Sequence, residues 1–141
     1  MTITAASGRL YDALPIDNAA GFPQSFPFLM NGVNYQFSVY VDAPQESLGA
    51  RDEMMSLPDA QRFLVVRAEQ SDAGGVLHTI FLRKVVPSLE YRAGALMLTF
   101  PQQIVARQNL NNAGNFGSNV VAGVTLVDVS LTETTSGANP S

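Results

Sequence analysis

The sequence has no cysteine, no tryptophan and a single histidine among its 141 residues. Without cysteine there is no disulfide, no thiolate nucleophile and no thiolate metal site. Zinc prefers several His or Cys ligands, and the chain offers one residue of those types. Charge is scarce as well: 14% of residues are charged, against a usual share of about 25%. The eight cations (Arg9, Arg51, Arg62, Arg67, Arg83, Lys84, Arg92 and Arg107) are scattered, and the formal net charge is −4. Nucleic-acid binding leaves a basic stripe that neutralises several phosphates, so no nucleic-acid partner is expected. No stretch approaches the ~20 apolar residues of a membrane span. Residues 1–9 also lack the charged start and apolar run of a signal peptide. These features predict a soluble chain, made and used in a cytoplasm.

What is present is an ordinary apolar share, 46% of residues, in a chain the size of one domain. Residues 1–141 therefore read as a single domain with one core. With so few charges to cover the exterior, some neutral or apolar surface is expected to face a partner. The clearest local signal is Asn31-Gly32 between two apolar runs. A type I′ turn needs positive φ at both central positions, and Asn-Gly supplies it. After the turn, Tyr35, Phe37, Val39 and Val41 alternate with Gln36, Ser38 and Tyr40, the period-two pattern of a half-buried strand. Pro27 cannot donate to a ladder, so the strand before the turn is expected to lie at a sheet edge or to begin irregularly.

A second hairpin is expected from Arg62 to Lys84 around residues 71–75, with strands covered on both faces. Residues 90–94 read as a turn leading into residues 95–100, where Pro101 ends the strand and residues 103–106 extend or restart it. A last strand spans residues 120–131. Residues 47–57 favour one or two turns of helix or a long surface loop, limited by Gly49 and Pro58. Residues 1–25, broken by prolines and glycines, read as an extended arm anchored by Leu10, Leu14, Ile16 and Phe22. Residues 132–141 read as a small, polar, flexible tail. The predicted class is all-β: a small sandwich or barrel of six to seven mostly antiparallel strands, with at most one short helix and extended termini.

No catalytic constellation stands out. His78 lies mid-strand, where a histidine on a strand surface or at a subunit contact is the default reading. No nucleophile elbow, phosphate-binding loop, dinucleotide fingerprint or zincin helix is present. Asp52, Glu53 and Asp59, or Asp17 with Asn18, lack the spacing of a calcium loop. A glycosidase needs two facing carboxylates, and nothing singles out a pair among the twelve acidic residues. The chain is accordingly expected to be no enzyme and to need no cofactor or metal. The asparagine- and glycine-rich residues 109–119 are either an amide-rich connection or a recognition element. Phe116 sits between glycine-bearing stretches there, as a plug for a neighbouring subunit would. Phe22, Phe26, Leu110, Asn115 and Phe116 are the candidate contact residues.

Leu14-Pro15-Ile16 and its proline-rich sequel, followed by Gln24-Ser25-Phe26-Pro27-Phe28-Leu29-Met30-Asn31-Gly32-Val33-Asn34-Tyr35-Gln36-Phe37, resemble the opening of small phage tail-tip proteins of the baseplate plug type. Arg62-Phe63-Leu64, Gly74-Gly75 and the closing residues 110–124, with Asn115-Phe116-Gly117, follow in a similar order. The chain departs from that pattern in lacking tryptophan and in its longer residues 43–61. The resemblance implies a small β protein of the virion, packed with other tail or baseplate proteins in a symmetric assembly and doing no enzymatic work. A β-sandwich module that binds carbohydrate or peptide is the alternative.

Overall fold

A computed structural model describes residues 2–59 and 61–127. Among them are ten strands, numbered in chain order, in two antiparallel sheets. The smaller sheet runs β3 (Gln24–Met30), β4 (Val33–Asp42), β6 (Phe63–Ser71), β7 (Leu77–Val85). Asn31 and Gly32 take φ of 52° and 77°, and Met30 pairs with Val33 across them, which is the two-residue hairpin that Asn-Gly predicts. Tyr35, Phe37 and Val39 point into the core. β3 is the edge strand that Pro27 calls for, since it pairs with β4 alone.

The second hairpin is in place, but its outer face is open. Leu64, Val65, Val66 and Ala68 of β6 are buried, whereas Leu77 and Leu82 of the edge strand β7 are about half exposed, at 45% and 54%. Side chains alternate between the faces of a strand, so Phe81 and Val85 of β7 enter the core while Leu82 between them is left exposed.

The larger sheet is built on β9 (Leu96–Ala106), paired on one side by β10 (Asn119–Leu126). On its other side lie β8 (Glu90–Ala93) at the start and β5 (Met54–Ser56) at the end. β9 runs straight through Pro101, where the sequence predicts a stop. The register of β10 shifts between Val121 and Gly123 at this level. On the opposite flank β8 reaches only Thr99 and β5 only Ile104. No ladder position therefore asks for the N–H that proline lacks.

Further expectations are corrected. Of the two readings of residues 47–57, helix or long loop, the loop holds for residues 48–53: a 3-10 turn at Gln45–Ser47 precedes it and β5 follows, whose Met55 is fully buried. Pairing with β9 and burial override the helix propensity of the segment. The N-terminal arm is part of the sheet: β1 (Thr2–Thr4) pairs with β2 (Leu10–Ala13), and β2 pairs with β10. Leu14 and Phe22 are buried as expected of anchors, but Leu10 is 59% exposed, because alternation along β2 turns Tyr11 inward instead. Glu90–Ala93, read as a turn, is a strand. Residues 128–131 of the expected last strand and the tail at 132–141 lie outside the described residues.

Both sheets contribute to one apolar core, and no ladder joins them, so the described residues form a sandwich. A chain of rings crosses the interior: Phe81 to Tyr91 at 5.7 Å and Tyr91 to Phe100 at 6.1 Å between centroids. β2 is tied to β8 by Tyr11, whose hydroxyl donates to Glu90 Oε1 at 2.5 Å. Burial raises the Tyr11 hydroxyl pKa, and accepting that proton lowers the Glu90 carboxyl. No helix of the described residues is long and apolar enough to cross a membrane.

Candidate functional site

Residues 107–118 leave β9 through a 3-10 turn at Arg107–Asn109. A segment so rich in asparagine and glycine has few apolar side chains with which to hold itself, and buried amide chemistry takes their place. Asn109 is fully buried. Its Nδ2 donates to the carbonyls of Asn112 at 3.1 Å and Gly114 at 3.0 Å. Its Oδ1 accepts from Ser118 Oγ at 2.6 Å, and Ser118 Oγ accepts from the Ala106 N–H at 2.8 Å. The loop is thereby closed on its own base.

The N-terminal segment is fastened to its outside. The Phe22 N–H donates to Asn109 O at 2.9 Å, and the Asn111 N–H to Phe22 O at 2.6 Å. Asn18 Oδ1 accepts from the Val120 N–H at 2.8 Å. Gly21 permits this approach: its φ is +82°, and a Cβ there would stand 2.3 Å from Asn112 O.

The facing wall is the loop from Ala43 to Glu53. Ser47 Oγ donates to Pro44 O at 2.7 Å, and a turn closed by the Glu53 N–H on Ala50 O places Arg51 at its tip. Glu53 holds both walls. Its Oε1 accepts from the Gly49 N–H and its Oε2 from Arg62 Nη1, each at 2.9 Å. Its backbone carbonyl accepts from the Arg107 N–H at 2.9 Å. The Arg62 guanidinium, and then the Gly49 N–H, hold the Glu53 carboxyl below its ordinary range. Arg62 is itself nearly buried and also pairs with Asp59.

Between these walls lies an open cleft of about 730 Å³. Phe22, Tyr40, Leu48, Leu110 and Phe116 give it apolar surface, and Gln45, Gln108, Asn111 and Asn112 give it amides. Among the described residues, Arg51 and Arg107 are the only charged ones that line it. Of the candidate contact residues the structure thus brings Phe22, Leu110 and Phe116 together. Phe26 is elsewhere, half-buried and stacked on Phe37 at 5.8 Å between centroids. Asn115 is exposed and does not line the cleft. Arg51, Arg107 and Tyr40 were not legible as site residues, because single cations and a strand tyrosine read as ordinary surface and packing.

Elsewhere the titratable groups have structural partners. His78 Nε2 lies 2.7 Å from Asp72 Oδ2, and Asp72 Oδ1 accepts the N–H groups of Gly74 and Val76 in the hairpin turn. Ser71 adjoins this pair, but its Oγ contacts the Asp72 carbonyl, at 3.3 Å, and not the imidazole. Glu53 and Asp59 share Arg62. The lowered carboxyl of Glu53 is the opposite of what a proton-donating acid needs. Among the described residues no group of three or more His, Asp or Glu is arranged to hold a metal ion.

Neither the protein-family models, nor the curated proteins, nor the solved structures with which the chain was compared gave a match.

Proposed function

We propose that the chain is a non-enzymatic structural component of a phage virion, seated in the tail tip or baseplate and working through packing against other tail proteins. The observation that carries this reading is the cleft. Leu110 and Phe116 of the 107–118 loop, two residues that look like contact residues in the sequence, are half-buried at one open surface, and Phe22 from the N-terminal segment is buried beneath them. The low charge, the exposed Leu29, Leu77 and Leu82 and the resemblance of residues 14–37 to baseplate plug proteins support the same reading. Quantitative mass spectrometry and immunogold labelling of purified virions test it. The protein is expected at a fixed copy number per particle, with label at the distal end of the tail; its absence from virions overturns the proposal.

A second reading, a β-sandwich module for carbohydrate or peptide, is favoured by one detail. Tyr40, 36% exposed, and Phe116 share the cleft with four side-chain amides, a combination that can stack on and hydrogen-bond to a ligand. A glycan array with no signal removes the carbohydrate branch.

A further inference from the structure

The cations of this acidic chain are not equivalent. Arg9, Arg62, Arg67 and Lys84 form ion pairs with carboxylates. Among the described residues no such pair involves Arg51, Arg83, Arg92 or Arg107, and Arg83 lies over the Tyr91 ring, 5.4 Å from its centroid. Two of these four, Arg51 and Arg107, line the cleft, and among the described residues no carboxylate lines it with them. Glu53 behind the wall feels the charge of Arg107, but its carboxylate is bonded to Arg62 and the Gly49 N–H. In a molecule of net charge −4, the described lining of this concave surface thus carries two positive charges and no negative one.

The backbone that carries the two cations is held in advance of any ligand. Arg51 sits at the tip of a turn closed by the Glu53 N–H, and the Arg107 N–H donates to Glu53 O. One residue thus ties together the two backbone segments from which the guanidinium groups extend. Binding then has to order the two side chains but not the loops beneath them.

From these observations we propose that the cleft binds an extended acidic peptide segment of a partner protein. The peptide's carboxylates would meet Arg51 and Arg107, and an apolar side chain between them would lie against Tyr40 and Phe116. The structural-component reading is needed here only to say where such a peptide comes from. A volume of about 730 Å³ exceeds what a lone oxyanion fills and lies within the ~300–1,000 Å³ of sites that enclose larger ligands. Guanidinium suits carboxylate, which it can grip through two parallel hydrogen bonds. A nucleic acid would ask for many more cations along one track. A neutral glycan could accept hydrogen bonds from the arginines but would leave their charge uncompensated.

The test is fluorescence anisotropy on the full chain with a labelled, amidated peptide of alternating glutamate and phenylalanine flanked by glycine. A peptide with glutamine in place of glutamate and, as competitor, inorganic phosphate are the controls. The glutamate peptide is expected to bind and the glutamine peptide to bind at least about tenfold more weakly. Phosphate should compete only at far higher concentration. Affinity should fall as salt is raised from about 50 to about 300 mM. R51Q and R107Q should each weaken binding about three- to tenfold, without change in Tm. R92Q makes the same charge change away from the cleft, where Arg92 Nε donates to Gly94 O, and should leave affinity unchanged.

Equal binding of both peptides, no binding of either, or an R51Q/R107Q double variant with wild-type affinity overturns the proposal. So does R92Q weakening binding as much as the cleft variants do. Phosphate competing as well as peptide would show a simple anion site, which also overturns it. Virion composition is measured separately. Failure to bind peptide leaves the structural reading standing, and absence from virions leaves the chemistry of the cleft standing.

Discussion

Asn109 does with one side chain what a polar, turn-rich loop cannot do with hydrophobic contacts. Its amide satisfies two carbonyls and one hydroxyl inside the loop, and nothing else in the segment is so placed. Asn109→Ala leaves those groups without partners and is expected to cost about 2–4 kcal/mol, read as a shift of the urea midpoint. Gly21→Ala forces a Cβ onto Asn112 O at a positive φ. It is expected to cost at least about 2 kcal/mol and to increase amide exchange in residues 107–116. At this scale the sequence is informative where a residue contradicts its surroundings: Phe116 and Leu110 are conspicuous in a polar stretch, and both reach the cleft. Arg51 and Arg107 contradict nothing nearby. Their significance comes from what they do not touch, and no local pattern encodes that.

Among the elements, the β3–β4 hairpin was readable because turn and alternation are both local. β1, β5 and β8 were not, since three or four residues carry too little periodicity and their partners lie far along the chain. Pro101 misled for a related reason: the bulge that tolerates it belongs to β10, and the gap beside it to β8 and β5. The loop from Ala43 to Glu53 depends on an ionised carboxylate. Glu53 has its folded pKa lowered from an ordinary value of 4.5. Its contribution is therefore present above that value and is lost as pH falls through the lower, folded one. Asp72 and Glu90 are shifted in the same direction, so stability should decline below about pH 5. Glu53→Gln should be less stable at neutral pH and show a shallower acid decline, followed by thermal melts across that range. In that variant the cleft walls should exchange faster than the β3–β4 hairpin.

For the molecule as a whole, cohesion runs through the rings that span the sheets. Phe81 comes from β7 and Tyr91 from β8, and their contact crosses the core. Phe81→Ala is expected to cost about 3–5 kcal/mol and to broaden near-ultraviolet signals from both sheets, since the void faces each of them. The all-β class and the shared core could be anticipated from composition and alternation; the strand order could not, because it depends on pairings between distant segments. The clasp between residues 17–22 and the 109–118 loop has a consequence in time. Asn18 and Val120 stand 102 positions apart, so the bond between them cannot close before residue 120 has been added. Contacts of such long range are expected late in folding. During synthesis the β3–β4 hairpin can form as soon as its own residues have emerged, whereas the cleft needs residues as distant as Phe22 and Phe116. The binding surface is thus expected to mature after the hairpin.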